Sequence, residues 1–119
     1  MDHQKLVDTI MDLDSNLRFA TICNMTGDIQ VSGKKEGIEN FLTLEETQES
    51  LKHATNAWMF SRTPHYKKIG KGLYTLSVYE KLKRVTMPLE DGFMLLATFD
   101  NQGDQSKIID GIIGQVHPS

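Results

Sequence analysis

The first dozen residues place apolar side chains three and four positions apart, a spacing that predicts a helix with one apolar face. This face consists of Leu6, Val7, Ile10, Met11 and Leu13. Asp2 belongs to a residue type that caps helix N-termini. The turn-forming sequence of residues 14–16 should end the helix.

Two strand-like segments follow, and their patterns differ. Residues 17–24 (LRFATICN) carry apolar side chains on both faces, whereas residues 29–32 (IQVS) alternate apolar with polar side chains. Between them lies Gly27, which can adopt the positive φ of a tight turn. We therefore predict a hairpin whose first strand is more buried than its second.

The strongest helix signal covers residues 43–61, after a loop at residues 33–42. Thr43 and Glu46 have the spacing of a capping box. Pro64 should end the helix, because proline disfavours helical backbone in the residue before it. The predicted apolar stripe of this helix consists of Leu44, Leu51, Ala54, Trp58 and Met59.

Three more strand-like segments and a last helix complete the pattern. Residues 73–80 and 83–89 are half polar, whereas residues 93–99 (FMLLATF) are almost wholly apolar. The sequence EDG before this last segment predicts a tight turn. The apolar face of the last helix consists of Ile108, Ile109, Ile112, Ile113 and Val116.

Together these elements predict an α+β fold in a single domain spanning residues 1–119, with the order α-β-β-α-β-β-β-α. Strands 17–24 and 93–99 should be central and adjacent, because apolar side chains on both faces require cover on both faces. The half-polar strands should lie outside them. The prediction is a five-stranded antiparallel sheet with the middle helix on one face and both terminal helices on the other.

The composition is that of an ordinary globular protein, with 39% hydrophobic and 24% charged residues. A single cysteine excludes an intrachain disulfide and favours a reducing setting. The first ten residues lack the apolar run of a secretory signal, and no segment has the length of apolar sequence needed to span a membrane. We therefore expect a soluble, cytoplasmic protein.

The basic charge is unevenly distributed along a chain whose net charge is −3. Seven of the 13 Lys and Arg residues lie between Arg62 and Arg84, where Glu80 is the only acid. This cluster begins within residues 63–72 (TPHYKKIGKG) and suggests contact with an acidic protein surface. The hypothetical basic partner patch consists of Lys67, Lys68, Lys71, Lys81, Lys83 and Arg84.

Other interpretations of residues 63–72 have weaker support. A phosphate-binding loop lies between a strand and the following helix, whereas Gly70 and Gly72 follow a predicted helix and precede a strand. Nucleic acid is an unlikely partner, because the chain is acidic and has no recognisable binding motif. A plain surface connection remains the simplest interpretation.

Catalytic or metal-binding residues are not expected. The four histidines, His3, His53, His65 and His117, show no pair at ligand spacing. Cys23 lies within a predicted strand and has no neighbouring base, which is typical of a buried, inert thiol. We therefore predict no cofactor, no metal and no enzymatic activity; an enzyme of unknown class is the third interpretation.

Residues 19–33 (FATICNMTGDIQVSG) and 85–100 (VTMPLEDGFMLLATFD) resemble the Roadblock/dynein light-chain family, whose fold is related to profilin-like and longin-like folds. The resemblance implies a homodimer in which the middle helices pair and the strand after the basic loop meets its twin. Members of this family commonly scaffold or regulate small GTPases and other signalling or motility proteins. The candidate interface residues are His53, Trp58, Phe60 and Tyr74.

Two function classes therefore stay open beside the enzyme. The first is a non-enzymatic interaction or regulatory module, acting on itself as a homodimer and on an acidic partner such as a small GTPase. The alternative is a small-ligand sensory domain with a pocket between the sheet and a helix.

Overall fold

The computed structural model describes residues 2–60 and 66–117. Its elements are α1 (His3–Met11), β1 (Leu17–Asn24), β2 (Ile29–Lys34), α2 (Leu44–Phe60), α3 (Tyr66–Ile69), β3 (Thr75–Val78), β4 (Lys83–Pro88), β5 (Phe93–Phe99) and α4 (Gln105–Val116). The predicted helices and strands are all present, and α3 adds one short helix to them.

The five strands form one antiparallel sheet in the order β2-β1-β5-β4-β3. The two strands that are apolar on both faces, β1 and β5, are central and adjacent, as predicted. Ala20 pairs with Ala97 and Ile22 with Leu95 across them. The half-polar strands lie outside, so β2 and β3 form the two edges. Gly27 adopts a φ of 88° in the β1–β2 turn.

The two faces of the sheet carry separate cores, because successive residues of a strand point to opposite faces. Leu95 and Ala97 of β5 belong to the larger core, which α1 and α4 cover through residues such as Ile10 and Ile112. Met94 and Leu96 belong to the smaller core under α2, together with Cys23, Leu51 and Trp58. The predicted placement of the helices is therefore confirmed.

Side-chain caps define where the helices begin. The Asp2 carboxylate accepts a hydrogen bond from the Lys5 backbone amide at 3.1 Å. The predicted capping box of α2 is present, since the Thr43 amide donates to Glu46 at 2.9 Å and the Glu46 amide donates to the Thr43 hydroxyl at 3.1 Å. Asp104 caps α4, which therefore begins before the first residue of the predicted apolar run.

The predicted apolar stripe of α2 is only partly correct. Leu51 is fully buried and Trp58 is 8% exposed, whereas Leu44 is 73% exposed and Met59 is 54% exposed. Leu44 shares the helical face of Leu51, but around it the first turns of α2 and the sheet border a pocket instead of closing onto each other. Met59 follows Trp58 directly and therefore lies on the flank of the helix.

The connection between α2 and β3 was predicted as a simple loop. The structure instead places the one-turn helix α3 within it. Pro64, the predicted end of the middle helix, lies outside the described residues. Among the helices that the structure describes, none is both long and apolar enough to cross a membrane.

Candidate functional site

Exposed large apolar side chains are concentrated between β2 and the β3–β4 turn. In the described chain they are Phe41, Leu42, Leu44, Met59, Ile69, Leu73, Tyr74, Val78 and Tyr79. They belong to the loop before α2, to α2 and α3, and to the β3 segment. The surfaces of α1 and α4 contribute none of them. The exposed large apolar side chains of the described residues therefore all belong to one stretch of the chain, residues 41–79.

Strand β3 is an edge strand. It pairs with β4 from Thr75, opposite Thr86, to Val78, opposite Lys83. No other strand of residues 2–60 or 66–117 pairs with it. Its outer edge therefore presents backbone groups that a further strand could bind, and the side chain of Val78 is 62% exposed there.

The structure separates the four candidate interface residues. His53 is exposed on α2, and Tyr74 is 42% exposed just before β3. Trp58 is buried under α2, where its indole nitrogen donates a hydrogen bond to the Thr86 hydroxyl at 3.0 Å, so it is corrected from an interface residue to a core residue. The side chain of Phe60 lies outside the described part of the structure.

Trp58 positions the chain that leads into β3. A Cβ atom added to Gly72 would lie 2.6 Å from Cζ3 of the indole. Only glycine permits so close an approach, which accounts for one of the two glycines in the basic segment. Trp58 therefore packs, from inside the core, against the segment that leads into the edge strand β3.

The predicted basic patch is not one surface. Lys71 lies 3.6 Å from Glu90 in the β4–β5 turn, whereas Lys81, Lys83 and Arg84 lie at the other end of β4. Six residues of strand separate these ends by about 20 Å. Lys83 and Arg84 also point to opposite faces of the sheet, because they are consecutive in β4. The single patch is therefore corrected to two separate groups.

The first group lies beside α3. The side chain of Lys68 is exposed there, and the Lys71 side chain is 53% exposed. The backbone of Lys67 is part of α3, and its side chain lies outside the described part of the chain. This group is next to the approach to β3 and its exposed apolar residues.

A pocket of about 730 Å³ lies on the α2 face of the sheet. Phe19 of β1 and Leu96 of β5 contribute to its floor. Leu44 of α2, Phe41 of the preceding loop and Leu82 of the β3–β4 turn contribute to its walls. A pocket between the sheet and a helix was expected only under the alternative function of a sensory domain, although the apolar residues inside the loop at 33–42 were a signal for it.

Arg84 reaches this pocket from β4. Its Nη1 atom donates a hydrogen bond to the Ser50 hydroxyl of α2, and its guanidinium carbon lies 5.8 Å from the centroid of the Tyr79 ring. Its Nε atom is buried and has no hydrogen-bond partner among the described residues. Arg18, also at the pocket, differs because it pairs with Asp100 at 2.9 Å.

Cys23 is buried between the sheet and α2. Burial, and secondarily the nearby negative charge of Asp28, raises the pKa of its thiol to about 11. The thiol therefore stays protonated at neutral pH and is a poor nucleophile.

Two of the four histidines meet at one turn, which their positions in the sequence did not predict. His3 lies 2.7 Å from Asp91, and His117 lies 4.0 Å from Glu90, both at the β4–β5 turn. His65 is outside the described residues. Within the described ranges, no group of three His, Cys, Asp or Glu side chains has the arrangement of a metal site.

Comparison with solved structures identifies the fold. The structure aligns with gliding protein MglB from Thermus thermophilus at a TM-score of 0.76 and 9% identity, covering 95% of this chain and 82% of that one. A Roadblock/LC7 domain from Streptomyces avermitilis aligns at 0.73 and 10% identity, with coverage of 98% and 92%. MglB from Myxococcus xanthus aligns at 0.73 and 13% identity, with coverage of 98% and 89%.

This chain therefore has the Roadblock/LC7 fold, as the resemblance of residues 19–33 and 85–100 implied. No protein-family model matches its sequence, and no curated protein sequence matches it. At 9–13% identity the likeness to these structures is a likeness of fold.

Proposed function

We propose that this protein is a non-enzymatic interaction module that forms a homodimer through the edge of β3 and the exposed flank of α2. The observation that carries the proposal is the combination of an unpaired strand edge with exposed apolar residues beside it. Met59, Leu73, Tyr74 and Val78 lie in these elements and are 42–62% exposed. Burial of such a surface is the main driving force of protein association.

The geometry of the sheet supports a symmetric dimer. Two identical edge strands that pair antiparallel are related by a two-fold axis perpendicular to the sheet. The sheet then continues from one subunit into the other, and both copies of α2 lie on the same face. His53 and Met59, which are exposed on α2, would face toward the second subunit or border it.

A charged substitution on the free edge of β3 tests this interface. Val78→Lys places a lysine on the outer edge of β3, which natural proteins use to block strand pairing. Sedimentation velocity of the wild-type protein at micromolar concentration should show a particle of about twice 13.5 kDa. The Val78→Lys variant should sediment as a monomer.

Gln30→Lys is the matched control, because Gln30 is exposed on β2, the other edge of the sheet. This variant should remain a dimer. A monomeric wild-type protein, or equal dimerisation of all three proteins, would rule out the β3 interface.

We further propose an acidic protein partner, such as a small GTPase, as the family resemblance implies. The basic group at Lys68 and Lys71 supports this, because it is exposed in an otherwise acidic chain and adjoins the apolar region. Exposed charges of this kind act mainly on association rate and specificity, and salt weakens their effect. The lone cysteine supports a reducing, cytoplasmic setting.

Capture from a lysate of the native host, with mass spectrometry of the bound protein, tests the partner. Lys68→Glu with Lys71→Glu should reduce capture of the same partner, whereas Lys5→Glu with Lys107→Glu, on α1 and α4, should not. Capture by the wild type should fall as salt rises. Equal capture by both double variants, or capture that nuclease abolishes, would contradict an acidic protein partner at this group.

A further inference from the structure

The pocket under the first turns of α2 combines apolar walls with an arginine that forms no ion pair with the described residues. Phe19, Phe41, Leu44 and Leu96 provide apolar surface, and Arg84 reaches between them from β4. An arginine side chain stays charged in proteins at any ordinary pH. A charged group with an unsatisfied buried donor raises the free energy of the folded state, and a bound partner that accepts a hydrogen bond from it would lower that free energy.

The described residues do not supply that partner. Nη1 of Arg84 is bonded to the Ser50 hydroxyl, which is neutral, and Nε is buried without an acceptor. No carboxylate of the described chain lies within 4.0 Å of this guanidinium. Lys81 also lines the pocket and lies 5.5 Å from the ring centroid of Phe41. The acidic residues Glu39 and Glu80 line the same pocket, but neither pairs with Arg84 within 4.0 Å.

We propose that this pocket binds a small amphiphilic carboxylate, with its carboxylate on Arg84 and its apolar body against the pocket walls. Because Ser50 holds Nη1 and Nε is buried, Nη2 is the nitrogen of the guanidinium that remains to donate a hydrogen bond to the carboxylate. A hydrogen bond between an ionised donor and an ionised acceptor is roughly twice as strong as one between neutral groups.

The size and shape of the pocket suit a small molecule. Its volume of about 730 Å³ lies within the ordinary range for small-ligand sites. The sheet forms the floor, α2 forms one wall, and the loop at residues 38–42 and the turn at residues 79–82 border it on further sides. The pocket lies between the sheet, α2 and these two segments, whereas the proposed dimer forms along the outer edge of β3.

Isothermal titration calorimetry with octanoate and 1-octanol tests the proposal, since the two probes share the chain and differ in the charged head. Octanoate should bind at one site per chain and about tenfold or more tightly than 1-octanol, as a charge-assisted hydrogen bond implies. Arg84→Met keeps the length of the apolar stem and removes the charge, so it should lose this preference for octanoate. Arg84→Lys, which keeps the charge but not the planar guanidinium, should retain only part of it.

Lys81→Met is the matched control, because it removes a rim charge of the same sign. Its octanoate affinity should stay within about threefold of the wild type, as expected for an exposed charge. Urea unfolding of each variant checks that it folds, and unliganded Arg84→Met should be at least as stable as the wild type because the unsatisfied cation is gone.

Several outcomes would overturn the proposal. One is octanoate binding no tighter than 1-octanol binding, and another is equal octanoate affinity in Arg84→Met and the wild type. A third outcome is that monomeric Val78→Lys binds octanoate but the wild-type dimer does not. The occupant of the pocket would then be a second copy of this chain. Binding in both states supports the proposal whether or not the dimer interface is correct.

Discussion

Leu95→Ala perturbs the centre of the sheet. Leu95 is 0% exposed and lies in β5 between Ile22 of β1 and Met87 of β4, on the face that α1 and α4 cover. Hydrogen-bonded strands on both sides limit how far the backbone can close the cavity. We therefore expect a loss of about 3 kcal/mol in the free energy of unfolding, in the middle of the range for buried leucines.

Urea unfolding followed by circular dichroism measures this loss. With a denaturant slope of about 1.5 kcal/mol per molar, the unfolding midpoint should fall by about 2 M. The melting temperature should fall by about 12 °C, at about 4 °C per kcal/mol for a domain of this size. Such a change removes a large part of the stability of an ordinary domain.

Leu44→Ala provides the matched control, because Leu44 is 73% exposed. Both substitutions are compared in the Val78→Lys background, so that dimerisation does not contribute. Leu44→Ala should change the free energy of unfolding by less than about 0.5 kcal/mol. A loss below about 1 kcal/mol for Leu95→Ala would refute the central position of β5.

Two further predictions concern close packing. Gly72→Ala should destabilise the protein by about 1–3 kcal/mol and shift the fluorescence of Trp58, because its Cβ would lie 2.6 Å from the indole. Gly114→Ala, at a position with open space in α4, should neither destabilise the protein nor shift this fluorescence. Equal effects of the two substitutions would contradict the contact between Gly72 and Trp58. Cys23, whose pKa burial raises to about 11, should react with iodoacetamide at pH 8 about 100-fold more slowly in the folded protein than in urea. Equal rates would show an accessible thiolate.

The fold was predictable because its strands differ in how many faces they bury. Residues 17–24 and 93–99 are apolar on both faces, and a strand of that kind has a stable position only between other strands and under helices on both sides. The capping box at Thr43 and Glu46 was equally readable, since it depends on residues three positions apart. The strand order and the start of α2 were therefore predicted correctly from local residue spacing and from the number of apolar faces on each strand.

The site was less predictable because it depends on contacts between distant segments. Helical periodicity places Leu44 and Trp58 on one stripe of α2, but it does not show that only one end of that stripe meets the sheet. The distribution of charge along the chain predicted that Lys71 and Lys81 belong to one basic patch, although the length of β4 separates them. The burial of Arg84 depends on α2 and on the turn after β3, and no local pattern around β4 contains that information.

Amide hydrogen exchange of β3 at several protein concentrations is the sharpest test of the proposed dimer, because it measures protection in the interface strand itself. Strand β2, the opposite edge of the same sheet, serves as the internal reference. If the dimer forms through β3, protection of the β3 amides should rise as the protein dimerises, while protection in β2 stays constant. Protection of β3 that does not change with concentration, or a rise confined to β2, would contradict a dimer formed through the β3 edge.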